Sequence, residues 1–115
     1  DGDFVTAPEL SPLFGATLAQ QCREVLATTG DTIVEFGGGS GRLAAALLAD
    51  LALHDALPAA YCIVELSPAL RARQHATIAE RAPAALSRVR WLADAPASAI
   101  DGVVIANEVL DALPV

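Results

Sequence analysis

Residues 34–43 read Val34-Glu35-Phe36-Gly37-Gly38-Gly39-Ser40-Gly41-Arg42-Leu43, with four glycines in five positions directly after an apolar run. Glycine reaches positive φ cheaply and lets a ligand approach the main chain, at an entropic cost on folding. A loop this bare needs a use. Just before it, Thr32-Ile33-Val34-Glu35-Phe36 is a short β-branched run bounded by Asp31 and the glycines, as a buried strand would be. Just after it, Leu43, Ala44, Leu47, Leu48 and Leu51 return at helical spacing. A strand, a glycine loop and a helix in that order open an α/β unit whose turn can hold a ligand.

The rest of the chain repeats the pattern. Tyr61-Cys62-Ile63-Val64 reads as a second strand closed by Glu65, and Ser67-Pro68 starts a capped helix running to about Ala82. Val89-Arg90-Trp91-Leu92 is a weaker third strand leading to Asp94 and a loop or short helix around Pro96 to Ser98. Gly102-Val103-Val104-Ile105-Ala106 is a fourth, ending in Asn107-Glu108. Alternating strands and helices predict an α/β fold: a parallel sheet with right-handed crossovers. Upstream, residues 1–10 are polar and broken by Gly2 and Pro8, which predicts a loop or lid. Ser11-Pro12 then starts a helix over 11–29, with Leu13, Ala16, Leu18, Cys22, Val25 and Leu26 on one stripe. Residues 31–115 form the core of the domain.

The chain has 115 residues, 54% of them hydrophobic, which suits a single core. It opens without Met and stops directly after an apolar run, so further sequence is expected at both ends. A net charge of -7 repels polyanions, and no nucleic-acid partner is expected. All seven basic residues are Arg, several between Arg71 and Arg90, where a solvated helix face is the simplest account. Cys22 and Cys62 lie far apart among apolar neighbours, as buried free thiols do in a reducing compartment. No apolar run approaches a membrane span. His54 and His75 lack metal or triad spacing, and no metal site is expected. Ser40 lacks the G-x-S-x-G context of a hydrolase nucleophile, since Arg42 stands where the second glycine would, opposite Gly38.

Ligands of open parallel sheets bind beyond the carboxyl ends of the strands, where strand order reverses. Two cofactor classes compete for that place here. A dinucleotide fingerprint needs G-x-G-x-x-G, and from Gly37 its third glycine falls on Arg42. What stands instead is Glu35, an apolar residue, and Gly37-x-Gly39-x-Gly41, which resembles motif I of class I S-adenosylmethionine-dependent methyltransferases. That cofactor carries an ammonium and a sulfonium and no phosphate. Glu35 can attract the ammonium directly or through water, while Gly37, Gly38, Gly39 and Gly41 make room for the methionine portion. Glu65, with Leu66 beside it, follows the second strand where an acid can accept from both ribose hydroxyls, though NAD carries the same ribose. Asp94 could accept from the adenine amino group, or could cap a helix. Asn107 and Glu108 follow the fourth strand, and Glu108 and Asp111 would share a face on a helical turn, where two acids would equally complement the helix dipole.

Beyond these motifs the chain resembles the MidA-like family of class I methyltransferases, whose mitochondrial members act in respiratory complex I assembly. The segments that carry the resemblance are residues 2–15, Glu35 to Leu43, Val64 to Pro68, Arg71 to Gln74 and Ala106 to Pro114. The resemblance implies a Rossmann-like methyltransferase fold of which this chain is part, with strand order 3-2-1-4 in the visible part, S-adenosyl-L-methionine as cofactor, and a protein arginine acceptor. It also implies that Thr6, Pro8 and Glu9 border the cofactor pocket, a role the residues alone do not indicate. Methyl transfer needs the acceptor aligned with the sulfonium methyl, and Glu108, with Asp111, could orient a guanidinium by charge-assisted hydrogen bonds. The competing expectations are an NAD-dependent oxidoreductase and an assembly factor that keeps cofactor binding without catalysis. The location follows the source, cytoplasmic in a bacterium and mitochondrial in a eukaryote, and the high Ala and Arg content with no Lys points to a GC-rich bacterial genome. The acceptor's identity and the oligomeric state are not legible.

Overall fold

The apolar spacing after the glycines becomes helix α2 (Arg42–Leu53), which buries Leu43, Ala44, Ala45, Leu47, Leu48 and Leu51. Residues 3–8, 12–28, 30–96 and 102–108 are described by the computed structural model. Around α2 stand β1 (Asp3–Pro8), α1 (Pro12–Thr28), β2 (Thr32–Phe36), β3 (Ala60–Val64), α3 (Pro68–Arg81), a short 3-10 helix (Pro83–Arg88), β4 (Val89–Leu92) and β5 (Gly102–Glu108).

The strands form one parallel sheet in the order β1-β5-β2-β3-β4. Counted from the strand before the glycines, β4-β3-β2-β5 is the expected order 3-2-1-4. Beyond β5 lies β1, in a segment expected to be a loop or lid. Phe4, Val5 and Thr6 supply the strand tendency, and residues 3–8 pair with residues 103–108 of β5. Pro8 is tolerated because β1 stands at the edge of the sheet among the described residues, where a missing N–H costs least. The turn signals Gly2 and Pro8 flank this short run and hid it.

Strand alternation sends Ile33, Glu35, Tyr61, Ile63, Val103 and Ile105 to one face of the sheet. Helices α1, α2 and α3 pack side by side on that face, and their apolar stripes close the core over it. On α1 the buried stripe is Leu18, Ala19 and Cys22, with Val25 and Leu26 at its margin, whereas Ala16 is exposed. Helix α3 is capped as its sequence predicts, with the Ser67 hydroxyl accepting from the Leu70 N–H and Pro68 at the first position. Its buried residues are only Ile78 and a polar one, Gln74. Two further features escaped the sequence reading. The 3-10 helix after α3 tucks Ala85 into the core. Gly102 starts β5 so close to β2 that a Cβ there would lie 2.0 Å from the Thr32 carbonyl oxygen.

Candidate functional site

Because the strands are parallel and in register, their carboxyl ends meet along one edge. Leu92, Val64, Phe36, Ala106 and Thr6 form a row across the sheet. One residue further on in each chain stand Ala93, Glu65, Gly37, Asn107 and Ala7, with Asp94 one step beyond Ala93. The register thus brings Glu65, the glycine loop, Asp94, Asn107 and the end of β1 to one edge.

Within the loop the glycines do different work. Gly37 (φ 72), Gly39 (φ 56) and Gly41 (φ 87) take left-handed backbone conformations, and Gly41 caps α2 with no side chain involved. Gly38 is needed for space: its Cβ would lie 2.8 Å from Ile63 Cγ2 and 2.9 Å from Gln74 Nε2. A Cβ on Gly41 would come 2.8 Å from the Gln74 Cα. At these two positions the bareness expected to admit a ligand admits helix α3 instead. The loop is held by hydrogen bonds from Gly37 N to Val64 O (3.4 Å) and from Gly41 N to Gly38 O (3.0 Å). From below, Gln74 Nε2 donates to Gly39 O (2.9 Å) and the Thr77 hydroxyl to Ser40 O (2.9 Å).

Glu35 does not stand open at the edge. Alternation turns it to the inner face beside Ile33, where it is fully buried and accepts a hydrogen bond of 2.7 Å from the Tyr61 hydroxyl. Burial first, then the neighbouring Glu35 charge and hydrogen bond, hold the Tyr61 phenol well above its usual pKa, so it stays a neutral donor. Glu65 is partly exposed. One of its carboxylate oxygens accepts from the Ser67 N–H (3.2 Å) and the other from Gln74 Nε2 (3.0 Å). An ionised carboxylate offers about two acceptor positions per oxygen, so each retains one. Leu66 projects into solvent at 75% exposure, and Asp94 is exposed. The structure therefore gathers the glycine loop, Glu65, Leu66 and Asp94 at one edge, with Glu35 beneath it.

The acceptor-side candidates fare differently. Asn107 and Glu108, expected to follow the fourth strand, are part of β5, and Glu108 pairs with Pro8. Helical spacing to Asp111 therefore does not describe Glu108, since main-chain pairing with β1 keeps it extended. Asp111 and Glu9 lie outside the described residues. Thr6 and Pro8, offered only by resemblance, fall at the carboxyl end of β1 in line with the other candidates.

Sequence reasoning passed over Gln74, which is completely buried. Its traces in the sequence were its place at the end of the resemblance segment Arg71 to Gln74 and a polar side chain four residues before Ile78, on the inward face of a helix.

Both cysteines are free and buried. His75 lies against Trp91, ring centroids 5.7 Å apart, and His54 sits beside Asp50, which also pairs with Arg23. Among the described residues no cluster of His, Cys, Asp and Glu could hold a metal ion, and no helix is long and apolar enough to cross a membrane.

A parallel sheet in this order, with a glycine loop and an acid at successive strand ends, defines a Rossmann-like nucleoside-cofactor fold. Residues 15–115 match the family described as "Putative S-adenosyl-L-methionine-dependent methyltransferase", and the chain belongs to that family. Its fold is similar to that of a COG1565 superfamily protein of Burkholderia thailandensis, titled a "likely methyl transferase" and crystallised with S-adenosyl-homocysteine (TM-score 0.81, 50% identity, 97% of this chain and 29% of that one). A native crystal structure of a COG1565 superfamily protein from the same organism matches equally (TM-score 0.81, 50% identity, 96% and 29%). The chain thus spans 29% of the length of these neighbours. Among curated proteins none matches.

Proposed function

We propose that this chain forms the cofactor-holding part of a MidA-like S-adenosylmethionine-dependent methyltransferase whose acceptor is a protein guanidinium. The observation that carries the reading is the row at the carboxyl edge, where Glu65 stands beside the glycine loop with an acceptor position left on each carboxylate oxygen. A second observation fits a polar ligand: among the described residues the buried side-chain oxygen without a partner is Ser40 Oγ, within that loop.

When bound, the cofactor supplies an electrophilic methyl on a sulfonium. Glu65 accepts from the ribose hydroxyls, exposed Leu66 offers an apolar surface to the base, and Asp94 accepts from its amino group. The main chain of Gly37, Gly38, Gly39, Ser40 and Gly41 faces the methionine portion, and Glu35 adds negative charge beneath that loop. Thr6, Pro8, Glu9 and Asn107 border the pocket in this reading. Glu108, with Asp111, holds and orients the guanidinium. The identity to a Burkholderia protein favours the bacterial, cytoplasmic alternative over a mitochondrial protein of complex I assembly.

Calorimetric titration of the intact protein tests the cofactor: S-adenosylhomocysteine binds and NAD does not, and the reverse result overturns the reading. For the acceptor side, Glu108→Gln should lose turnover on the methylated protein. Full turnover would remove Glu108 from the mechanism, and cofactor binding with no methylation of any co-purifying protein would favour a non-catalytic assembly factor.

A further inference from the structure

Gln74 lies fully buried beneath the loop, and its amide touches three separate elements. Its Nε2 donates to Gly39 O (2.9 Å) and to Glu65 Oε1 (3.0 Å), and its Oε1 accepts from the Trp91 indole N–H (2.9 Å). The orientation is fixed by chemistry: a carbonyl and a carboxylate can only accept, and an indole N–H can only donate, so a flipped amide would lose all three bonds. Trp91 is itself partly buried against the core, and β4 carries it, so the amide is anchored at its oxygen as well as at its nitrogen.

The consequence falls on Glu65. With one oxygen held by the Ser67 N–H and the other by Gln74, the carboxylate is fixed through both oxygens, and each keeps one open acceptor position. Two vicinal hydroxyls would match two such positions. We infer that Gln74, anchored by Trp91, is a positioning residue that sets the Glu65 carboxylate to read a ribose diol, and that it ties this setting to the glycine loop through Gly39. The inference rests on the cofactor reading above and deepens it: Glu65 makes the contact, and Gln74 determines how selectively.

Losing Gln74 also frees the Gly39 carbonyl, which would weaken every ligand of the loop alike. The preference for an intact diol isolates the effect on Glu65. The test titrates the intact protein calorimetrically with S-adenosylhomocysteine and with its 2′-deoxy and 3′-deoxy forms. Wild type should favour the parent over either deoxy form by about tenfold or more, the worth of one hydrogen bond to a charged acceptor. In Gln74→Met, of similar volume, that preference should fall to within about twofold of unity for both forms. Trp91→Phe, which leaves both Gln74 donors in place but releases the anchor, should give an intermediate preference, and it carries the test alone if Gln74→Met does not fold. A wild-type preference preserved in the variants, even with lowered melting temperature, would reduce Gln74 to packing and overturn the inference. Tight binding of S-adenosylhomocysteine by wild type with no diol preference would overturn it too, while leaving the cofactor reading intact. No binding by wild type would overturn both.

Discussion

At the scale of single residues, the buried polar groups are the most exacting. Tyr61 donates to Glu35 inside the core, and removing a donor from a buried carboxylate costs more than an average hydrogen bond contributes. Tyr61→Phe should therefore destabilise the intact protein by about 1–3 kcal/mol, measured by urea unfolding. A second residue-scale effect concerns pH. Burial, opposed weakly by Arg23, pushes the Cys22 thiol from 9.0 up to about 11. Between those values the unfolded chain has lost a proton that the folded chain keeps, so stability falls as pH rises through this window. Cys62, raised by burial as well, and Tyr61 at still higher pH add in the same direction. The melting temperature should decline from about pH 9 to 11, and Cys22→Ala should decline less over that range. At neutral pH both thiols should react slowly with a thiol reagent, because the attacking thiolate is scarce and enclosed.

At the scale of elements, the glycine loop and helix α3 are one construction. The loop passes over Gln74 and Thr77, and its bare positions at Gly38 and Gly41 let α3 come within van der Waals reach of the main chain. Gly38→Ala would push against Ile63 and against an amide bonded on three sides that has nowhere to retreat. It should cost about 1–3 kcal/mol by thermal unfolding and weaken S-adenosylhomocysteine binding at the same time. Gly102→Ala is the harsher change, since the obstacle is the backbone oxygen of Thr32 and β5 would have to leave β2. That variant should not yield folded protein, as checked by circular dichroism of the purified material.

At the scale of the whole molecule, the site exists because parallel pairing brings the ends of strands far apart in sequence to one edge. A ligand spanning that edge binds only the folded chain and must stabilise it. S-adenosylhomocysteine at one hundred times its dissociation constant should add about 2.7 kcal/mol, seen as a raised melting temperature, and NAD at the same concentration should not. The net charge of -7 suits a cofactor bearing an ammonium and a sulfonium.

How much of this was legible depends on the range of the interactions involved. Local signals determined β2, the glycine loop, α2, β3, the Ser67 cap and a parallel sheet before any tertiary contact was known, because side-chain period, turn residues and crossover handedness are properties of short segments and their sequence, whereas the strand order 3-2-1-4 was legible only through the family resemblance. The placement of Glu65 past β3 was readable for the same reason. Only the tertiary structure decided that β1 is a strand, since six residues with Pro8 at their end become one by pairing with β5. It decided that Glu35 faces Tyr61 in the core, because a strand position does not say which face the helices will cover. It alone revealed Gln74, a polar residue that breaks an apolar stripe and is stable there because a loop carbonyl, a carboxylate and an indole from three other segments satisfy it. A buried amide is costly until its partners arrive, and no reading along the chain contains partners that only folding brings together.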